Sequence, residues 1–191
     1  LQVNSAMNSF TASFLTAIKP PMIKSYAEGN YVYLDKIFYL SNKFVYYCLI
    51  MICMPLIFEM DTVLMLWLKS TDSQTILFAR LVLIYALIMS LNNPISIIIQ
   101  ATGKIKSYSV WVEIPTLLSV PATYMFFKLG YPAYSTFVVI IVAAIIAHII
   151  RLICLKKNYN SFDFIVYMKN FILPAIFITF IVVLLGYLFH I

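Results

Sequence analysis

The chain has 191 residues, of which 63% are hydrophobic and only 10% are charged, with a net charge of +6. A soluble domain carries about 25% charged residues and keeps most of its residues in contact with water, so this composition excludes an ordinary soluble domain. The basic residues are spread between apolar runs and not gathered on one face, which excludes a nucleic-acid-binding surface. We therefore predict an integral membrane protein.

The predicted helices come from the spacing of charges, because a span needs roughly 20 mostly apolar residues. Residues 1–18 are less apolar but have small side chains every four residues, which predicts a helix face where another backbone packs closely. These small residues are Ser5, Ser9, Ser13 and Ala17. Five runs with at most one charge follow: 37–58, 81–103, 107–127, 129–150 and 170–191. The predicted fold is an all-α polytopic transmembrane helix bundle with five full spans and the end of a sixth, buried helix.

Basic residues predict which connections are cytoplasmic. One set of connections carries Lys19, Lys24, Lys36, Lys43, Lys104, Lys106, Arg151, Lys156, Lys157 and Lys169. The opposite set carries Lys69 and Lys128, with Arg80 close to that surface. Cytoplasmic loops hold the Lys and Arg excess, so the first set is predicted to be cytoplasmic. It includes the turn QATGKIKSY at 100–108, which is not a Walker phosphate loop because Ile98 and Ile105 replace its Gly and Ser or Thr.

The segment 59–72, EMDTVLMLWLKSTD, alternates acids with an apolar cluster around Trp67. It predicts a short amphipathic segment in the outer interface, since Trp favours that depth. Other aromatic residues are expected at the two interfaces. They are Tyr131 and Tyr134 on the outer side, and Tyr159, Phe162 and Tyr167 on the cytoplasmic side.

Two polar stripes are the main candidates for a functional site, because polar groups inside a span are costly. Asn93, Ser96 and Gln100 are spaced i, i+3, i+7 and share one helix face. Ser109, Glu113 and Thr116 share a face of the next helix. The short turn between the helices makes them antiparallel neighbours, so the stripes either line one cytoplasm-facing cavity or join the helices by hydrogen bonds.

The charged residues and the histidine inside the spans have alternative roles. Glu113 is expected to be hydrated in a cavity or paired with Lys106. Arg80 lies about 220° around the helix from Asn93, so it either snorkels to the outer surface or faces a second part of a pathway. His148 stands alone in an apolar run, which favours a packing role over a proton relay.

Catalytic and metal-binding patterns are missing from the sequence. It contains no His-Glu-x-x-His and no Gly-x-Ser-x-Gly motif, and Cys48, Cys53 and Cys154 lack paired metal-ligand spacing. We expect a protein that is not an enzyme and that has no cofactor and no metal site.

Four stretches in their order and spacing resemble the C-terminal half of bacterial polysaccharide flippases, O-antigen and capsule types, of the multidrug, oligosaccharidyl-lipid and polysaccharide exporter superfamily. They are KPPMIKSYAEGNY at 19–31, DTVLMLWL at 61–68, FARLVLIYALIMSLNNP at 78–94 and ATGKIKSY at 101–108. The resemblance covers most of the chain and implies one part of a larger two-bundle transporter.

The resemblance also implies a domain organisation. Residues 1–155 would form the C-terminal six-helix bundle, with its first helices partial. Residues 156–191 would form a cytoplasmic loop and an additional transmembrane helix. The N-terminal bundle and a final helix would be absent, and the start at Leu1 without an initiator Met leads us to expect a fragment.

The implied function is flipping undecaprenyl-pyrophosphate-linked oligosaccharide repeat units across the bacterial cytoplasmic (inner) membrane by alternating access, for the biosynthesis of surface polysaccharide such as lipopolysaccharide. The implied partners are this lipid-linked oligosaccharide, membrane lipids, a coupling ion (proton or sodium) and polysaccharide assembly proteins. Arg80 and Lys43 would meet the pyrophosphate, and Glu113 would serve ion coupling. Two alternatives stay open: a cation-coupled multidrug exporter of the same superfamily, and a non-transporting membrane scaffold for polysaccharide assembly.

Overall fold

The elements of the fold are known from a computed structural model that describes residues 2–69 and 72–190, with 2–8, 10, 68, 189 and 190 described by their backbone alone. Every regular secondary-structure element among the described residues is a helix. The elements are α1 (Gln2–Ala27), α2 (Tyr31–Phe58), α3 (Met60–Leu68), α4 (Ser73–Ser90), α5 (Asn93–Ala101), α6 (Ile105–Lys128), α7 (Ser135–Asn158), α8 (Phe164–Tyr167), a π-helical turn (Met168–Ile172) and α9 (Leu173–His190).

Five helical stretches of the described chain are long and apolar enough to cross a membrane. They are Tyr31–Phe58, Ser73–Ala101, Ile105–Lys128, Ser135–Asn158 and Phe164–Leu188. The predicted all-α bundle with five spans is therefore confirmed, and the chain is a multi-pass membrane protein. The short helix α3 lies in the segment that was predicted to be amphipathic: its Met60 and Leu64 are buried, whereas Leu66 and Trp67 are exposed.

Several helices begin or end outside the predicted runs, because charged residues belong to helix ends and not to loops. In α2, the Asn30 side chain accepts a hydrogen bond from the backbone N–H of Tyr33, so the helix begins six residues before the predicted start at 37. In α4, Asp72 caps the helix in the same way by accepting from Thr75. The predicted span 129–150 begins only at Ser135 and extends to Asn158.

The first helix is longer than predicted and exposes the stripe that was expected to pack. α1 continues from the predicted end at 18 through Pro20 and Pro21 to Ala27. The prolines remove the hydrogen bonds to the carbonyl groups of Thr16 and Ala17, which is tolerable because both residues are exposed. Within the described side chains, Ser9, Ser13 and Ala17 are exposed, and the buried face instead carries Thr11, Met22 and Ser25. The side chain of Ser5 lies outside the described residues.

The span Ser73–Ala101 is broken at Leu91 and Asn92. At this point the backbone N–H groups of Leu91 and Asn92 donate to Ile88 and Met89, three residues back, so the helix tightens before it ends. α5 then starts at Asn93, with Pro94 in its first turn, where a missing N–H costs nothing. Two helical pieces, α4 and α5, therefore share one crossing.

Connections between the long helices lie at two ends of the bundle. One end, here named the basic end, is formed by the turns at 28–30, 102–104 and 159–163. Rings of Tyr31 and Tyr159 meet there at 5.7 Å between centroids. The opposite end carries α3 and the turn at 129–134, and the rings of Phe78 and Phe137 meet near it at 5.4 Å.

The core at the basic end joins the last segment to the rest of the bundle. Tyr167 and Phe171 are fully buried and belong to one cluster with Phe38 of α2. The π-helical turn and α9 therefore pack mainly against α2. At the basic end Tyr159, Phe162 and Tyr167 are buried in the core, whereas Tyr131 and Tyr134 at the opposite end are exposed. The depth of these residues in a membrane stays a prediction.

Tyr159 provides a first test of this packing. Its hydroxyl donates a hydrogen bond of 2.8 Å to Asp35, and the ring is 2% exposed. Tyr159→Phe is expected to lower the free energy of unfolding by about 1.5 kcal/mol at pH 8, because the carboxylate loses a donor. The unfolding midpoint in denaturant measures this loss.

Alkaline pH should shrink the difference between the two proteins. Burial, followed by the hydrogen bond to Asp35, raises the pKa of Tyr159 above its ordinary value of 10.0. The contribution of this residue is complete below pH 10 and is lost as the pH rises toward the folded-state pKa, since the unfolded chain releases the proton first. A difference between wild type and Tyr159→Phe that is equal at pH 8 and pH 11 would contradict this assignment.

Candidate functional site

The first polar stripe lines a small cavity against α1. Asn93, Ser96 and Gln100 share one face of α5, as predicted, and border a cavity of about 190 Å³. Thr16 and Lys19 of α1 form its other wall. Lys19, which the predicted topology places in a connection, lies within the extended α1 and so reaches the polar face of α5.

The second stripe lies elsewhere. Ser109, Glu113 and Thr116 are exposed on α6. The buried face of α6 carries Tyr108, Val112, Pro115 and Ser119 and packs mainly against α7. The prediction that both stripes line one cavity is therefore wrong, because the face that packs is rotated away from Glu113. Glu113 also forms no ion pair with Lys106 or with any other described residue.

Arg80 and Lys43, the other predicted pathway residues, are separate from both stripes. Arg80 donates from Nε to the backbone carbonyl of Ile57 at 3.0 Å and from Nη2 to Asp61 at 3.2 Å. These bonds tie α4 to the junction of α2 and α3, near the opposite end of the bundle. Lys43 is half-buried in α2 and has no hydrogen bond or ion pair within the described part of the chain.

A chain of hydrogen bonds connects α7, α6 and α5 inside the bundle. Arg151 donates from Nε to the hydroxyl of Tyr108 at 3.2 Å. That hydroxyl lies 2.8 Å from the Ser96 hydroxyl, which in turn lies 3.1 Å from the backbone carbonyl of Asn92. Because the single Ser96 hydrogen is directed to Asn92, Tyr108 donates to Ser96 and accepts from Arg151. All donors in this chain therefore point from the guanidinium toward the break between α4 and α5.

The break itself holds a second polar contact. Asn92 is 3% exposed, and its side-chain oxygen lies 2.8 Å from Nδ1 of His148. An amide oxygen only accepts, so Nδ1 carries the proton in this arrangement and Nε2 is the free ring nitrogen. Nε2 is buried and has no partner among the described residues. His148 thus has an amide as its partner, where the sequence indicated an isolated packing residue.

Arg151 is the exceptional group of this network. It lies in α7 seven residues before Asn158, or about 10 Å from the helix end. Its side chain is 9% exposed, and Nη1 is buried without a hydrogen-bond partner among the described residues. A buried cation is normally paired with an acid, because desolvation of an unpaired charge is costly.

The acids of the chain are all engaged or positioned elsewhere. Asp35 accepts from Tyr159, Asp61 from Arg80, Asp72 and Asp163 cap helices, Glu28 pairs with Lys24, and Glu59 accepts from Thr62. The remaining acid, Glu113, lies on the exposed face of α6. The described part of the chain therefore supplies no carboxylate to Arg151, and an anion from outside it would find an unneutralised cation.

A cleft at the basic end adjoins this network. It lies between the first turns of α6 and the last turns of α7 and has a volume of about 730 Å³. Lys104, Lys106 and Lys157 line it, and Tyr108 links it to Arg151. The three lysines therefore add positive charge beside the buried guanidinium.

Sequence reasoning missed Arg151, Tyr108 and Asn92 as site residues. The predicted topology places Arg151 in a connection, although it follows His148 by three positions, so both side chains lie near one face of α7. That i, i+3 pair was the available signal. No sequence pattern indicated the contact of Arg151 with Tyr108 or that of His148 with Asn92, since these partners lie 43 and 56 positions apart.

Comparisons with protein-family models, with curated proteins and with solved structures found no match for this chain.

Proposed function

We propose that this chain is the C-terminal bundle of a transporter that flips undecaprenyl-pyrophosphate-linked oligosaccharide repeat units across the bacterial cytoplasmic membrane. One observation carries the proposal: Arg151 is buried in a span, bonded into a polar chain and without an acid partner in the described part of the molecule. A resident positive charge of this kind suits an anionic substrate that is bound for only part of a transport cycle.

The chemistry of a lipid-linked sugar explains why the site would combine a cation with neutral polar groups. A hydroxyl that leaves water without gaining a hydrogen bond costs several kcal/mol, so a saccharide needs donors and acceptors along its path. Asn93, Ser96 and Gln100 offer such groups at the cavity beside α1. A guanidinium donates two bonds to a phosphate oxygen pair, which suits the pyrophosphate.

The break at Leu91 and Asn92 supports alternating access. Discontinuous helices near the middle of a span are the usual place for substrate sites and for hinge movements in such carriers. Here the break, the carbonyl of Asn92 and the hydrogen-bonded chain to Arg151 coincide. A bound anion that draws the guanidinium away would remove a donor from Tyr108 and so alter the support of α5.

The alternative functions have weaker support. A cation-coupled drug exporter would use a buried acid, and the one acid within the middle of a described span, Glu113, faces away from the bundle. A scaffold would gain nothing from a buried, unpaired arginine, because desolvation of an unpaired charge is costly. Under the proposed function, the exposed Glu113 face would meet water or the second bundle, where coupling to a proton or sodium ion would take place.

The experiment that tests the proposal uses a strain without the gene for the full-length protein. Undecaprenyl-pyrophosphate-linked oligosaccharide should accumulate in the inner leaflet of its cytoplasmic membrane, and the intact gene should relieve the accumulation. Normal amounts of this lipid together with sensitivity to cationic drugs would favour the exporter and contradict the proposal. Normal amounts with disordered assembly of the glycan enzymes would favour the scaffold and also contradict it.

A further inference from the structure

The cleft between α6 and α7 has features of a lipid headgroup site that the transport of sugar does not require. Its cations come from two directions, with Lys104 and Lys106 at the start of α6 and Lys157 at the end of α7. None of the three has an ion-pair partner among the described residues. No acid lines the described walls of the cleft.

Backbone groups add to this positive potential. Gly103, with a φ of +74°, ends the preceding segment and turns the chain sharply, and α6 then starts with Lys104 as its N-cap residue. No side chain caps the free N–H groups of that first turn. The N-terminus of a helix carries a partial positive charge, so anions are stabilised beside it.

The walls of the cleft are apolar below the lysines. Trp111, Ile150 and Ile153 line it, and Trp111 and Ile153 remain 58% and 63% exposed. Trp prefers the level of the membrane interface, where an amphipathic ring meets both headgroups and acyl chains. The cleft therefore presents cations at the bundle end and an apolar track toward the membrane interior.

From this arrangement we infer that the cleft binds an anionic phospholipid, with its phosphate among Lys104, Lys106 and Lys157 and an acyl chain along Trp111 and Ile153. Basic pockets between transmembrane helices are typical binding sites for anionic headgroups. A free phosphate would leave the apolar walls uncovered, whereas a lipid covers both. The bound lipid would hold the start of α6, and with it Tyr108, in place. This inference does not depend on the identity of the transported substrate.

Fluorescence of Trp111 tests the inference in the full chain. The chain has two tryptophans, so Trp67→Phe leaves Trp111 as the single reporter. The protein is placed in bilayer nanodiscs of phosphatidylcholine and phosphatidylglycerol, with bromine on the acyl chains of one lipid at a time. The quenching by each brominated lipid gives the relative affinity of that lipid for the site beside Trp111. We expect an affinity for phosphatidylglycerol about tenfold higher than for phosphatidylcholine.

Two charge-matched variants identify the site. The cleft variant carries Lys104→Gln, Lys106→Gln and Lys157→Gln, and the control variant carries Lys24→Gln, Lys36→Gln and Lys169→Gln, three exposed lysines of the same end. The preference should fall to less than about twofold in the first and persist in the second. Equal quenching by both lipids in the unaltered lysine background, or equal loss in both variants, would overturn the inference.

Two competitors distinguish the sources of phosphate. Inorganic phosphate, compared with chloride at equal ionic strength, should leave the quenching by brominated phosphatidylglycerol unchanged. Loss of this quenching would indicate a site for free phosphate and overturn the assignment to a lipid. Undecaprenyl phosphate at a few mol% should not displace phosphatidylglycerol. Its displacement at that level would identify the cleft as a site for the carrier lipid and overturn the assignment to a phospholipid. Neither result depends on a transport measurement, so failure here is separate from failure of the proposed function.

Discussion

Replacing Arg151 with leucine is expected to reduce transport of the lipid-linked oligosaccharide by at least about 100-fold, while the protein stays folded. Arg151 is 9% exposed and has no acid partner in the described chain, so its removal leaves no carboxylate unpaired. Because no buried charge is left uncompensated, the apolar replacement should not destabilise the fold. An anionic substrate would lose a buried, charge-assisted contact, which costs about 2–5 kcal/mol.

Arg151→Lys should give an intermediate loss of about tenfold, since the ammonium keeps the charge but forms no bidentate contact with phosphate. Arg80→Leu is the matched control, because it also removes an arginine from a span. It should keep transport within about twofold, yet lose up to about 1 kcal/mol of stability with the partly exposed pair to Asp61. Accumulation of the lipid-linked sugar measures transport, and thermal unfolding in detergent measures stability. Full transport by Arg151→Leu would refute the role assigned to Arg151.

Phe38→Ala is expected to destabilise the bundle by about 3–5 kcal/mol, the largest loss of stability foreseen for a single change. Phe38 is 1% exposed, and its ring centroid lies 5.3 Å from that of Tyr39, 6.0 Å from Tyr167 and 6.3 Å from Phe162. Removal of the ring leaves a cavity where α2, α8 and the turn at 159–163 meet. Helices in lipid are held together mainly by van der Waals packing between their side chains. The lost contacts of the Phe38 ring are therefore the expected source of the destabilisation.

Phe180→Ala is the control for this change. It removes the same atoms from a side chain of α9 that is 64% exposed, and it should cost less than about 0.5 kcal/mol. Unfolding by a denaturing detergent, followed by circular dichroism, gives both values. Similar losses for the two variants would mean that the aromatic cluster at the basic end contributes nothing specific.

The five spans were predictable because the distances between charged residues report the thickness of the bilayer. Helix ends were less predictable: Asn30 and Asp72 act as caps, so charged and polar residues counted as loop belong to the helices. Among the site residues, the common face of Asn93, Ser96 and Gln100 followed from their spacing. The rotation of α6, which exposes Glu113, and the partners of Arg151 depend on packing between helices far apart in sequence, which periodicity does not encode.

The uneven burial of the spans gives the bundle a mechanical order. The two percentages compare the most apolar stretch of each span. In the span made of α4 and α5, 56% of the residues in this stretch are buried, whereas in Phe164–Leu188 only 11% are buried. That last span is anchored at its start by Tyr167 and Phe171, and midway by the hydrogen bond of 2.8 Å between Thr179 and Tyr46. Beyond Thr179, Val182 packs against the core and Gly186 lies against the ring of Phe58, so force applied at the C-terminal side would have to break these contacts before it reached Thr179. The broken span at the centre would be the last to yield.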